Sequence, residues 1–269
     1  MHKNEKGPAS PSQGGQILLI VVLVMIVSLT VGLSVASRSI TNLRTSTEEV
    51  NSQKALSAAE AGIEQSILSN ASIASGEIYI GTRYSTTVTE VKGTSFLVKG
   101  GNTIAQDEGA DIWLSDYSKD SAKLYLNPWS GNLTIYWGNS ADSCSNPALE
   151  IVIVSGTKIS PKINRYAFDP CLSRVSSNHF TQASSGGSVA GVNFLFSTPP
   201  IGVVSGLIAK IIPLYSSGQI GVVGTSSLPS QGFVIDALGQ SGGTSKKINV
   251  FNGYPELAAQ FFSYGLFSH

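Results

Sequence analysis

The feature that most constrains this chain is an uncharged, apolar run near its N-terminus. The run extends from Ile17 to Ser37, and 14 of its 21 residues are Leu, Ile or Val. As an α-helix it would be ~31 Å long, which matches the hydrocarbon thickness of a bilayer. A buried helix in a soluble core has a shorter apolar run, so the length favours a membrane-spanning helix.

Three kinds of membrane segment remain open: a cleaved secretory signal, a permanent anchor, and a segment processed on its cytoplasmic side. Ser34-Val35-Ala36 offers the small residues of a signal-peptidase site, but the apolar run is longer than a secretory signal needs. Lys3 and Lys6 precede the run, and Arg38 and Arg44 follow it. Flanking charge therefore does not decide the orientation.

The helix is predicted to continue beyond the apolar run. Apolar side chains recur at helical intervals from Leu43 to Ile67, and neither Pro nor Gly occurs between Ser37 and Ala61. A helix from Ile17 to Ser69 would be ~80 Å long. We expect residues 16–37 to form a transmembrane half and residues 38–70 an amphipathic half that lies on another part of the chain.

The same region resembles the N-terminal region of type IV pilin-like proteins, specifically the PilX family of minor pilins. The resemblance is carried by Gly14-Gly15-Gln16, the apolar run, and the stretch from Lys54 to Glu64 with its Ala-Ala-Glu-Ala element, and it covers residues 13–70. It implies that a prepilin peptidase removes a leader, residues 1–15, after Gly15 or alternatively after Gly14. It also implies that Gln16 becomes the N-methylated end and that the hydrophobic half-helix packs in a filament core.

One position departs from the pattern of major pilins, which have a Glu at the fifth mature position. Counted from Gln16, that position is Ile20. The resemblance implies that the Glu neutralises the terminal amine of a neighbouring subunit, because a buried charge is costly without a partner. Its replacement favours a minor, priming or tip subunit. On the same resemblance, Ile20, Ala58, Ala59 and Glu60 are the predicted filament-packing residues.

From Gly76 onward the pattern becomes alternating, with short β-branched and aromatic runs separated by Gly, Asn, Ser and Pro. The predicted fold class is therefore α+β: a long N-terminal membrane and stalk helix, then a β-rich region with an antiparallel pilin-like sheet. The predicted strands are Tyr84 to Val91, Ser95 to Val98, Lys123 to Leu126, Leu133 to Trp137, Leu149 to Val154, Asn164 to Phe168, Val192 to Ser197, Leu207 to Tyr215, Ile220 to Val223, Gly232 to Leu238 and Lys247 to Phe251.

The β-rich part is predicted to have two regions. We expect residues 76–182 to form an added β-rich region and residues 192–269 an antiparallel sheet region with a C-terminal tail, in which 192–252 is a meander. The resemblance to pilin-like proteins implies that this meander lies against the amphipathic half of the helix. The Ser, Gly and Ala stretch from Ala183 to Gly191 is predicted to be a hinge. Leu257 to Phe267 is predicted to be a short helix or an edge segment.

Cys144 and Cys171 are predicted to form a disulfide if the β-rich part is exported, the alternative being two thiols in the core. With only three His besides, no zinc-type spacing is present, and no cofactor is expected. The charged fraction is 13% and the formal net charge is zero, which argues against a nucleic-acid partner. The chain is instead rich in hydroxyls and small residues, with 41 Ser and 28 Gly.

Three further patterns carry weaker alternatives. Gly239 to Gly243 matches G-x-S-x-G, but its flanks predict two strands, so a hairpin turn is favoured over a hydrolase nucleophile.

An acidic run is predicted to be made of solvated loop residues, since the calcium-loop signature fails at Ser121 and Asn127. The acids of this run are Asp107, Glu108, Asp111, Asp116 and Asp120. Aromatic residues crowd one stretch and are predicted to be mainly core, with an adhesive or carbohydrate-binding face as the alternative: Trp113, Trp129, Trp137, Tyr117, Tyr125 and Tyr136.

The expected function is that of a non-enzymatic minor pilin or pseudopilin that primes or caps a type IV pilus-like filament. Its expected partners are other pilins, the assembly machinery, prepilin peptidase and the membrane. It would begin as a single-pass precursor in the cytoplasmic membrane, with its C-terminal part extracytoplasmic, and reach the cell surface in the filament. The alternative is a permanently anchored surface protein whose β domain binds a ligand; an enzyme is the third and most remote.

Overall fold

The first element is one long helix. The structure, a computed structural model, describes residues 14–256, and side chains from Ile17 onward. Helix α1 extends without interruption over Gly14–Ser69, 56 residues. This confirms the predicted continuation of the apolar run into a second half. The segment Leu257 to Phe267 and most of the predicted leader lie outside the described residues.

The rest of the described chain is mainly β-structure, and it confirms the predicted α+β class. A short helix, α2, occupies Leu172–Asn178. The strands in chain order are β1 (Ile73–Tyr79), β2 (Thr82–Glu90), β3 (Gly93–Leu97), β4 (Ala110–Trp113), β5 (Trp129–Trp137), β6 (Ala148–Gly156), β7 (Pro161–Asp169), β8 (Thr181–Gln182), β9 (Ser184–Val189), β10 (Val192–Ser197), β11 (Ile201–Leu214), β12 (Ile220–Leu228), β13 (Gly232–Ser241) and β14 (Thr244–Gly253).

A small antiparallel sheet lies against the second half of α1. Its strand order is β1-β2-β13-β14, so it combines the first two strands of the β-rich part with the last two. The register of its central pair places Thr86 opposite Ala237. Ile235 and Ala237 are buried and pack against Ala59 and Ile63 of the helix. Burial of these apolar side chains is what fixes the helix to the sheet.

A larger, ten-stranded sheet contains the main core. Its principal order is β3-β12-β5-β11-β6-β7-β8, with β10 also paired to β5 and β9, and β4 paired to β11. Strand β6 lies between β11 and β7. Leu133, Ile135 and Trp137 of β5 are 0% exposed and share one face, since alternate residues of a strand point to the same side of the sheet.

The prediction that residues 192–252 form the meander on the helix is wrong. Strands β11 and β12 flank β5 and do not pair with each other, and only the β13–β14 hairpin of this segment reaches α1. Residues Leu207 to Ile212 of β11 are all buried, so this strand needs neighbours on both edges and cover on both faces. Strands β5, β4 and β6 supply its edges. The place beside β13 is taken by β2, which was predicted to belong to the added region.

Two local predictions are also wrong. The predicted strand from Lys123 to Leu126 is a turn, because Tyr125 and Asn127 have positive φ angles of 65° and 50°. The predicted hinge from Ala183 to Gly191 contains β9, which pairs with β10. A Cβ on Gly186 would lie 2.0 Å from the Phe194 carbonyl oxygen, so the small residues serve close strand pairing here.

Candidate functional site

The apolar first half of α1, residues 17–37, is not covered by any other described residue of the chain. Every side chain from Ile17 to Val50 is exposed, including large apolar ones such as Leu18 and Met25, each 69% exposed. In the described part of the chain this is the one helix long and apolar enough to cross a membrane, with a mean hydropathy of 2.9 over its most apolar window. A bare apolar surface of this length is not stable in water and requires an apolar environment.

The residues predicted for processing and filament contact lie at the start of this half. Gly14 is the first residue of α1, and Gly15 and Gln16 follow in its first turn. Ile20 lies one turn further along and is 56% exposed. These positions therefore belong to the same helix, and no residue among those that the structure describes covers Ile20.

The second half of α1 meets the small sheet through small residues. Ala55, Ala58 and Ala59 are 0% exposed. A Cβ on Gly239 of β13 would lie 1.9 Å from the Ala55 carbonyl oxygen and 2.6 Å from the Ala59 nitrogen. The helix and strand backbones therefore approach each other directly at Gly239, which only a glycine allows.

This packing corrects part of the predicted set of filament contacts. Ala58 and Ala59 are covered by the chain's own sheet, so their side chains are not available to another subunit. Glu60, which directly follows Ala59 in the helix, is exposed. The Ala-Ala-Glu-Ala element thus serves the helix–sheet junction, and of these three residues only Glu60 faces outward.

A polar group of contacts completes the junction near the end of α1. The Ser66 and Thr86 hydroxyls are 2.6 Å apart and buried, and the Thr86 Oγ1 also accepts a hydrogen bond from the Ile73 amide. The Tyr84 hydroxyl donates to the Gln65 side chain. The Tyr84 ring lies against Gly62 of the helix, where a Cβ would approach it to 2.8 Å. These directional bonds set the angle between helix and sheet.

The predicted disulfide is confirmed. Cys144 precedes β6 and Cys171 follows β7, and the bond joins them with their Cα atoms 4.6 Å apart. Arg174 of α2 pairs with the buried Asp169 at 2.8 Å and donates to the carbonyl oxygens of Cys144 and Asn146. The open end of the β6–β7 hairpin is therefore closed twice, once covalently and once by a charge-assisted network.

The carboxylate of Asp142 organises the turn before Cys144. It accepts hydrogen bonds from the Ser145 hydroxyl at 2.6 Å and from the Cys144 amide at 3.1 Å. The Ser145 bond, followed by the Cys144 bond, lowers the pKa of Asp142 below its ordinary value of 3.8. Both donors favour the ionised form, which is the form present at neutral pH.

The acidic run does not behave as one cluster. Asp116 accepts a hydrogen bond from the Asn127 side chain, and Asp120 accepts one from the Ala122 amide. Among residues 14–256, no three His, Cys, Asp or Glu side chains lie together as a metal site would require. Asp111 contradicts the solvated-loop prediction, because it lies on β4 and forms an ion pair with Lys210 in which both side chains are 0% exposed. A four-residue strand in a Gly-rich, acidic segment gave no sequence signal for that pairing.

The G-x-S-x-G match lies in a β-hairpin, as its flanks predicted. Gly242 and Gly243, with φ of +53° and +83°, make the two-residue turn between β13 and β14. Ser241 is 6% exposed, and its hydroxyl lies 3.1 Å from that of Thr82 on β2. The serine therefore helps to hold two strands together at the end of the small sheet.

The aromatic residues are largely core, as predicted. Trp113, Trp129 and Trp137 are 5%, 6% and 0% exposed. Trp113 stacks on Tyr125 with ring centroids 5.7 Å apart and meets Tyr117 edge-on at 5.0 Å. Burial, and secondly the negative charge of Asp111, raise the pKa of Tyr125 above its ordinary value. The phenol therefore stays protonated at neutral pH and lies within electrostatic reach of Asp111.

No protein-family model matches the sequence, and no curated protein matches it. The structure itself defines a class. Over residues 14–256 the chain has a single helix that is long and apolar enough to span a membrane, and this N-terminal helix is followed by a disulfide-bonded β-rich region of antiparallel sheets.

Proposed function

We propose that this chain is a non-enzymatic minor pilin or pseudopilin, similar to the PilX type, which primes or caps a type IV pilus-like filament. One observation carries the proposal: a single helix, Gly14–Ser69, is bare and apolar in its first half and packed on an antiparallel sheet in its second. The first half needs an apolar partner, and the second half holds a folded region at a fixed distance from it.

The membrane is the first apolar partner in this proposal. The bare half of α1 inserts as a single-pass segment of the cytoplasmic membrane, and the β-rich part lies outside the cytoplasm. The Cys144–Cys171 disulfide supports this side, because disulfides persist in oxidising, extracytoplasmic compartments. Assembly then moves the bare half from lipid into contact with the equivalent helices of other subunits, which are equally apolar.

The proposed partners are other pilins, the assembly machinery and prepilin peptidase. The peptidase acts at the Gly14-Gly15-Gln16 junction, which precedes the bare half and so leaves it on the mature protein. Glu60 is exposed beside the helix–sheet junction and is available for contacts between subunits. Ile20 favours a position at a filament end, since an apolar side chain cannot neutralise a neighbouring subunit's amine.

The mature N-terminus tests the proposal. The chain is expressed with its own prepilin peptidase, and the membrane-extracted product is mapped by mass spectrometry. We expect it to begin at Gln16, with a methylated amine, or at Gly15, and to retain the apolar helix. A product beginning at Ser37 would show secretory-signal cleavage and would overturn the proposal.

Two variants form a matched pair for this experiment. Gly15→Val is expected to leave an unprocessed precursor or to move cleavage to Gly14, whereas Ala36→Leu, which destroys the small-residue site, is expected to leave processing unchanged. An uncleaved wild-type chain that stays in the membrane beside an active peptidase would favour the alternative function, a permanently anchored surface protein with a ligand-binding β domain.

A further inference from the structure

The most unusual buried group in the β-rich part is a pair of opposite charges inside the large sheet. Asp111 of β4 and Lys210 of β11 are direct partners in the antiparallel register. The Lys210 Nζ lies 2.7 Å from the Asp111 Oδ1, and both side chains are 0% exposed. A buried ion pair of this kind is a poor source of stability, because desolvation offsets most of the attraction. Its presence in the core calls for another reason.

The two groups lie in a confined space. A small cavity beside Asp111 has a volume of about 10 Å³ and a mixed lining: apolar and aromatic side chains such as Phe96, Val98 and Trp113, and the polar side chains of Lys99, Gln231 and Glu256. This is roughly the space that one water molecule occupies. Gly109 packs directly on the lysine: a Cβ there would lie 3.0 Å from the Nζ and 3.1 Å from the Cδ, so a larger residue would crowd the side chain.

We propose that Lys210 and Asp111 condense to an intramolecular amide bond that joins β11 to β4. A proton first passes from the ammonium to the carboxylate, which gives a neutral amine and a carboxylic acid. The Nζ lone pair then attacks the Asp111 Cγ, a C–N bond forms, and the C–O bond to the hydroxyl breaks. The oxygen leaves as water with two hydrogens from the original ammonium. No oxidant, reductant or cofactor takes part.

The fold supplies what this reaction lacks in solution. For well-oriented intramolecular reactions, effective concentrations reach roughly 10⁵–10⁸ M, and the fold holds these two groups in contact. Exclusion of bulk water removes the molecule that would hydrolyse the product, and the adjacent cavity has room for the water released. The cross-link would close a loop from residue 111 to residue 210 and tie the short strand β4 permanently to the sheet.

Peptide mapping of the full-length chain, extracted in detergent and digested with trypsin, tests the proposal directly. Without the bond, trypsin cuts after Lys210, and Asp111 is found in the separate peptide 100–119. With the bond, cleavage after Lys210 is blocked, and peptide 100–119 is joined to peptide 175–246. The joined species is lighter than the sum of the two peptides by one water. Recovery of the separate, unmodified peptides as the dominant products would overturn the proposal.

A control pair and two variants sharpen the result. The control pair is Lys247 and Asp236, whose Nζ and Oδ1 atoms are 2.9 Å apart but whose side chains are 66% and 35% exposed. We expect no cross-link between them. Asp111→Asn is expected to give the same joined peptides with loss of ammonia instead of water. Lys210→Arg is expected to give no joined species, since a guanidinium does not form the amide. Joined peptides in the Lys210→Arg variant would refute the assignment to Lys210, and the wild-type map decides the proposal even if a variant fails to fold.

Discussion

At the scale of single residues, glycine and polar contacts decide where the backbones can meet. Gly239 allows β13 to touch the backbone of α1 at Ala55. Gly242 and Gly243 make the hairpin turn that follows. At Gly239 a side chain would clash with the helix backbone, and at Gly242 and Gly243 a side chain would disfavour the positive φ angles.

Gly239→Ala is predicted to destabilise the β-rich part by roughly 1–3 kcal/mol, because the new methyl group would force the helix and sheet apart. Thermal unfolding of the detergent-extracted chain measures the effect. Gly202→Ala is the matched control, since a Cβ there meets only the Asn132 side-chain oxygen at 3.7 Å and Gly202 also lies in a strand. Equal melting temperatures for the two variants would contradict the direct backbone contact.

The Asp142 carboxylate is predicted to make stability depend on pH. Its pKa is lowered in the folded chain, so its contribution is fully present above the ordinary Asp value and is lost as pH falls through the folded value. Asp142→Asn should therefore lower the melting temperature at neutral pH, and the difference in melting temperature from wild type should become smaller in acid. Ser145→Ala removes the hydrogen bond that lowers the Asp142 pKa most, so adding Asp142→Asn to that variant should lower the melting temperature less than it does in wild type. A difference between Asp142→Asn and wild type that does not change with pH would contradict this account.

At the scale of elements, the β6–β7 hairpin is the best-secured part of the large sheet. The disulfide closes its open end, and the Arg174–Asp169 pair with its carbonyl contacts anchors α2 across that end. The ring centroid of Tyr215, in the bend after β11, lies 4.8 Å from the guanidinium carbon of Arg174, which adds a cation–π contact. The hairpin is thus held by contacts from three separate parts of the sequence.

Replacement of both Cys144 and Cys171 by Ser is predicted to lower the free energy of unfolding by ~3.5 kcal/mol in the loop-entropy model, given the separation of 27 residues. Chemical denaturation of wild-type and variant chains gives the difference. Wild type measured with reductant should approach the variant, which serves as the internal control. A variant as stable as oxidised wild type would show that the Arg174 network alone secures the hairpin.

At the scale of the whole molecule, the described chain consists of a bare apolar half-helix that continues into a half packed on the β-rich region. The joint is the helix–sheet contact at Ala55, Ala59 and Gly239, which lies beyond the exposed part of α1. In a filament built on such helices, each β-rich region would project from the shaft at an angle set by this joint.

The position of the chain in a filament is predicted to depend on Ile20. Without a carboxylate there, repeated incorporation would bury one unpaired amine per interface, at a cost of several kcal/mol each time. Immunogold labelling and quantitative proteomics of sheared filaments should find the chain at the ends and far below the major pilin in amount. Ile20→Glu should shift it toward the shaft, whereas Leu19→Glu, with the carboxylate one position away, should not. Uniform labelling of wild-type filaments along the shaft would contradict the prediction.

The sequence by itself determined the elements whose cause is local. The helix Gly14–Ser69 follows from an uninterrupted run of residues without Pro, and the β13–β14 hairpin follows from its Gly-Gly turn. The disulfide was predicted from the only two cysteines of the chain, on the expectation that the β-rich part is exported. In each case the deciding interactions lie within a few residues, or involve the only residues of their kind.

The tertiary structure alone decided which strands are neighbours and which polar groups are buried together. The order β1-β2-β13-β14 joins segments about 150 residues apart, and the same alternating patterns would have suited several other orders. Asp111 resembles the other loop acids in sequence, and it is buried because β4 happens to pair with β11 opposite Lys210. The choice depends on the summed burial of all strands at once, which no local pattern records.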